Sequence, residues 1–303
     1  MCLKEWGIAK VFAITVDNAS SNATCIQFLK DRFSSRGCDF LKSKYMHMRC
    51  IAHKTNLIVK NGLEKVDLSV ARVRKAVRYI RQSPARIAKF KECIELVNVD
   101  SKSMLCLDVS TRWNSTYLML NVAQKFQGAF KLYETTNPSY VNELNETDGV
   151  PTFWDWGNVR RMVDILVHFY ELTLRILGFL YVTSNIFYHE ISTINYLLKD
   201  WMKSDDNEVK SMGERMKDKY DNYWGNVHKM NKLIYVAIVV DPRYKLEYLE
   251  FALREEYGLD VGWKLASDTT FSALSVKDNS EKDAIPLDDW YAEYLVACLQ
   301  LKS

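Results

Sequence analysis

The chain has 303 residues, of which 48% are hydrophobic and 13% aromatic. That is enough to build one large core or two modest ones, and it excludes a mainly disordered polypeptide. The longest apolar runs, such as "LIYVAIVV" at 233–240, are far too short to cross a bilayer, "CLKEW" after Met1 lacks the apolar core of a signal peptide, and seven cysteines without paired spacing fit reduced thiols inside a cell.

The formal net charge of +3 is unevenly spread. Residues 1–100 carry 19 Lys/Arg against 9 Asp/Glu, residues 101–250 carry 17 against 19, and residues 251–303 carry 5 against 10. A basic front with an acidic tail points towards a polyanionic partner. Residues 11–16 form a short apolar run rich in β-branched side chains, which predicts a buried strand. Asp17 ends that run. Ser20, Ser21 and Asn22 are suited to open a helix, and Ile26, Leu29 and Phe33 continue it at helical spacing. A carboxylate at the end of a buried strand is costly unless solvated, hydrogen-bonded or holding a cation. Asp17 is therefore either a metal ligand or a turn former.

Met46 and Met48 predict a second short strand that turns into a helix near Cys50. Across 67–96, Val70, Val73, Val77 and Ile80 form an apolar stripe, while Arg74, Arg78 and Arg81 form a separate basic one. Pro84 breaks or restarts the helix. A solvated amphipathic helix accounts for any single arginine; the eight Lys/Arg between 72 and 91 together make a phosphate-facing surface the second reading. The stretch 107–130 reads as a loop, a Ser/Thr cap and a helix with Tyr117, Leu120 and Phe130 inward. Residues 131–152 are polar, contain Pro138, Gly149 and Pro151, and predict a loop. Helices follow over 152–180, from a cap at Ser184 or Asn185 to about residue 202, and within 205–233. Asp241, beside Pro242, ends a helix. Beyond residue 260 the pattern is polar and aperiodic, as in a linker.

Five blocks in order resemble the hAT transposase superfamily, of the plant Ricesleeper and Daysleeper type of domesticated transposases. They are "FAITVDNASSN" (12–22), "RCIAHKTNLIVKNGL" (49–63), "DVSTRWNSTYLML" (108–120), "YVTSNIFYHEI" (181–191) and "VVDPRYKLEYLEF" (239–251). The resemblance implies an α+β, predominantly helical fold: a partial ribonuclease H-like core over 1–50, a large all-α insertion over 51–255, and a polar acidic tail over 256–303 towards a dimerisation region. In such enzymes three acids hold divalent metals that clamp the attacking and leaving oxygens of a phosphodiester. Asp17 matches the second of these acids. The first is expected upstream of Met1 and the third beyond the match. Asp288, Asp289 and Glu293 fit no motif of the family. One acid of three implies a chain that is non-catalytic by itself, with Mg²⁺ or Mn²⁺ only where the other acids are supplied.

Cys50 and His53 match the family's C-x2-H motif. Two soft ligands can open a zinc site, but a closed one takes four. No second pair accompanies them, although His47 could approach and Cys38 is available, so the pair reads as packing at the entry to the insertion. Trp113 matches the tryptophan that stacks on a flipped base in active relatives, with Arg112 beside it for phosphate; ordinary core packing is the alternative. Arg74, Arg78 and Arg81 would bind DNA through charge, weakly specific and salt-sensitive. The resemblance further implies a nuclear protein, no membrane, and oligomers with itself or with full-length relatives. Two rival readings remain: a piece of a complete strand-cleaving transposase, and a helical protein-interaction scaffold.

Overall fold

The computed structural model describes residues 13–17, 19–38, 43–64, 67–176 and 184–258, with the single positions 5, 7 and 11. The tail expected over 256–303 therefore lies outside the described residues beyond 258, as do Asp288, Asp289 and Glu293. The described elements are α+β and predominantly helical. They fall into two compact units. One comprises 1–55, 175–197 and 220–303, the other 56–174 and 198–219, with each division inside a helix. The stretch 51–255, expected as the helical insertion, contributes to both units, with 175–197 and the segment from 220 onwards grouped with the strand-bearing front.

In the first unit, β1 (Ile14–Val16) and β2 (His47–Arg49) pair in parallel, with Ile14 opposite His47 and Val16 opposite Arg49. Parallel strands need a crossover of helical length, supplied by α1 (Ser20–Ser34), which buries Ile26. The helix α2 (Ile51–Leu63) starts two residues after β2, as the sequence predicts. This unit also holds the start of α9 (Phe187–Trp201), the end of α10 (Asn207–Trp224), the apolar α11 (Leu233–Val239) and α12 (Lys245–Tyr257). The buried rings of Tyr188, Tyr220, Trp224 and Tyr235 fill its core. Glu256 on α12 accepts hydrogen bonds from the Tyr188 and Tyr220 hydroxyls, the Ser192 hydroxyl and the Asn195 amide, so a carboxylate among aromatic rings has its lone pairs satisfied. Asp241 likewise ends the α11 segment, accepting from Asn185 at 2.6 Å and from Arg243.

The regular elements of the second unit are all helices among its described residues. Its α3 (Asp67–Arg81) buries the predicted stripe Val70, Val73, Val77 and Ile80. Pro84 sits in the first turn of α4 (Pro84–Leu96), where a missing N–H costs nothing. The helices α5 (Trp113–Ala123), α6 (Gln127–Thr136) and α7 (Pro138–Asn145) follow, then α8 (Phe153–Ile176). An aromatic cluster joins them: Phe90 and Phe130 lie 4.8 Å apart, Tyr133 and Tyr140 5.3 Å, Phe130 and Trp156 5.3 Å. The predicted loop over 131–152 is largely helix. Pro138 opens α7 instead of breaking it, and buried Tyr140 and Leu144, one turn apart, anchor it. A reciprocal cap starts α8, where the Thr152 N–H and hydroxyl both donate to the Asp155 carboxylate.

Candidate nucleic-acid interface

Asp17 follows β1 directly, at the strand end where the sequence places it, and its side chain is exposed. Its Oδ1 accepts from the Ala19 N–H at 2.8 Å and from the Asn22 amide at 2.6 Å. Those bonds are the turn-forming, helix-opening role of an aspartate. Among the described residues no three His, Cys, Asp or Glu side chains converge as a metal site would require. A lone exposed carboxylate does not fit the oxygen-rich shell of Mg²⁺ or Mn²⁺.

Cys50 and His53 bracket the start of α2 and are both partly buried. The Cys50 N–H donates to the Val16 carbonyl and so extends the strand pairing into the helix start. The described residues bring no further soft ligands to them.

The basic face of α3 is not what its periodicity suggests. Arg74 grips Asp108 in a two-pronged pair, with three N–O contacts between 2.8 and 2.9 Å, and the Asp108 side chain is 1% exposed. Burial alone would raise the Asp108 carboxyl; the Arg74 guanidinium and the Thr116 hydroxyl outweigh it and hold the group below the usual carboxylate range. Arg72 pairs with Asp155, Lys75 with Asp148, and Arg86 with Glu143. Arg78 is exposed, and Arg81 is exposed while donating to the Leu105 carbonyl. The Arg74 fork is filled by a buried carboxylate. Arg78 and Arg81 remain on the surface. So does Arg112, the residue before α5.

Trp113 is 5% exposed and meets Phe169 edge-on with ring centroids 6.4 Å apart. Of the two readings of this residue, base stacking and core packing, its burial in this arrangement fits the second. A nucleobase would have to displace its packing to reach the indole.

A further concentration of positive charge lies in the first unit. A pocket of about 360 Å³ is lined by Lys44, Arg49, Lys54, Lys229 and Lys232, with no Asp or Glu among its lining residues. None of these five cations forms a salt bridge with a described residue. Its two walls are tied together by Asn231, whose amide donates to the carbonyls of Tyr45 at 3.1 Å and His47 at 3.3 Å. Lys54 lies over the rings of Trp224 and Tyr223 at 5.3 and 5.7 Å. Burial, reinforced by the charge of Arg49, lowers its ammonium pKa to about 8. Sequence reasoning missed this site, whose cations come from two segments some 180 residues apart in the chain. The one available signal was the basic surplus of residues 1–100.

Two family models match the chain. One, described as the ZBED1 RNase-like helical domain, matches residues 48–165, and the other, described as hAT-like transposase, RNase-H fold, matches residues 185–273. Among curated proteins, the zinc finger BED domain-containing protein RICESLEEPER 2 of Oryza sativa subsp. japonica is 31% identical over 261 residues, covering 86% of this chain and 35% of that protein. RICESLEEPER 1 of the same species gives the same identity and coverage. DAYSLEEPER of Arabidopsis thaliana is 26% identical over 262 residues, 86% of this chain and 36% of that protein. The chain spans about a third of the length of these relatives.

Proposed function

The chain belongs to the hAT-like transposase family, and on that premise we propose that it binds DNA in the nucleus through phosphate contacts, without cleaving strands by itself. The observation that carries this reading is the convergence on one pocket of five cations, none in a salt bridge with a described residue, without a carboxylate among the lining residues. Cations left uncompensated in this way raise the local concentration of a polyanion and release its counterions on contact. Exposed Arg78, Arg81 and Arg112 add to the positive surface. Such contacts position a backbone without reading bases, so the affinity is general and sequence choice falls to another part, such as the BED zinc finger that the relatives' names record. That it does not cleave strands by itself is part of the proposal, motivated by Asp17, whose Oδ1 is taken up in a turn.

Fluorescence anisotropy of a labelled duplex across a salt series tests the proposal. Binding that weakens linearly on a double-logarithmic plot is the expected result. Folded protein that leaves the duplex free at low salt would sink it and favour a protein-interaction scaffold.

A further inference from the structure

The lysine-rich pocket of the first unit has a second property besides charge. It is a cavity, and part of its lining is buried. His47 of β2 lines it, and the Nε2 of that ring is buried without a hydrogen-bond partner. Burial together with the like charges of Arg49, Lys30 and Lys54 holds the imidazole below its usual pKa. Lys54, also in the lining, is partly buried. A buried polar atom without a partner is costly, as is a desolvated ammonium without a counter-ion. Both penalties are relieved by one group: a compact anion with several acceptor oxygens. A single carboxylate offers fewer acceptors and less charge to the five cations than a phosphate does.

We propose that this pocket is a phosphate-binding site for one nucleotide. The proposal rests on the DNA-binding reading for its preferred source of phosphate, a nucleotide at a single-stranded segment or strand end. The volume sets that limit. About 360 Å³ lies near the small end of the range of roughly 300–1,000 Å³ for small-molecule sites, with room for one nucleotide and none for a double helix. Lys229 and Arg49 are exposed and serve the approach of the anion, while His47 and Lys54 meet it within. The wall that carries Lys229 and Lys232 is held by Asn231, whose Oδ1 also caps α11 by accepting from the Leu233 N–H at 3.1 Å, so the site is organised before any ligand arrives.

The test uses the whole chain and four probes: inorganic pyrophosphate, a free deoxynucleoside monophosphate, a short single-stranded oligonucleotide, and a duplex closed at both ends. Calorimetry reads the small anions and anisotropy reads the DNA. Expected are binding of pyrophosphate, its competition with the single strand, and a preference for single strand over closed duplex of about tenfold. The double variant Lys229→Glu/Lys232→Glu lowers pyrophosphate and single-strand affinity by more than about tenfold, whereas reversal of the exposed Lys102 and Lys125, Lys102→Glu/Lys125→Glu, leaves pyrophosphate binding unchanged. Lys54→Met, a substitution of similar shape that removes the buried charge, repeats the loss if circular dichroism shows the fold intact. Pyrophosphate and the monophosphate binding through the pocket while both DNA probes stay free would keep the phosphate site, overturn the strand as its source, and end the DNA-binding reading. DNA binding that pyrophosphate does not displace and the pocket variants do not weaken would overturn the phosphate site while leaving DNA binding in place.

Discussion

Two regions of this molecule are rich in basic residues, and they put those residues to opposite uses. On α3, Arg72, Arg74 and Lys75 each meet a carboxylate, and Arg74 does so against an Asp108 that is almost fully buried. In the pocket beside β2, five cations line one cavity with no acid in its walls. The first arrangement fixes helices to loops. The second leaves a positive field unspent and carries an electrostatic cost in the free protein. Basic residues that repeat along one helix face are therefore a weaker sign of a nucleic-acid surface than basic residues that stay unpaired after folding.

The comparison is broken most directly at Trp113, which belongs with the structural group if its burial describes it. Trp113→Ala is expected to cost about 3–5 kcal/mol of stability by urea denaturation. Trp113→Phe, which keeps most of the volume, should leave DNA affinity unchanged. A clear loss of DNA binding by folded Trp113→Phe protein would return the indole to a base-stacking role. Next comes Arg74→Ala, which strands a buried carboxylate and should destabilise the protein by about 3 kcal/mol. Reversal of exposed Arg78 should change stability by no more than about 0.5 kcal/mol. If both changes proved equally harmless, the distinction between paired and unpaired arginines would fail.

Lys54 sharpens the contrast from the other side. Its folded pKa of about 8 lies below its ordinary value, so between those pH values the unfolded chain holds a proton that the folded chain has shed. Stability should consequently rise with pH across that window. Lys54→Met should remove the rise and stabilise the protein at neutral pH by on the order of 1 kcal/mol. A destabilised Lys54→Met variant with an unchanged alkaline limb would show that the ammonium is no burden. A separate effect is expected at Asp241, whose carboxyl is held at about 2, chiefly by the Arg243 side chain. Its stabilisation is complete above about pH 4 and lost as pH falls through about 2. Asp241→Asn should flatten that acid limb in a pH series of thermal melts.

Much of the local structure was legible in advance. A short apolar, β-branched-rich run and helical patterns placed β1, the β2-to-α2 turn, the buried stripe of α3 and the restart at Pro84. The miss at α7 came from reading Pro138 as a break, when a proline in a first turn is compatible with a helix and two buried side chains supply the anchor. The division into units was also hidden from linear reading, since segments 175–197 and 220–257 join the front by packing. Among site residues, Asp17 was placed at its strand end, but whether it served as ligand or turn former waited on Ala19 and Asn22.

The order of residues alone carries the resemblance to hAT-like transposases, the helical character and the surplus of positive charge near the front. It determined which arginines share a face of α3, because helical geometry depends only on neighbours in the chain. Only the tertiary structure decided which charges are spent. Asp108 and Asp155 reach α3 from outside that helix, while Lys229 and Lys232 reach the neighbourhood of Lys54 with no acid in the pocket lining. Charges interact through space, with an energy that falls with distance, and residues far apart in sequence set that distance only once the chain has folded.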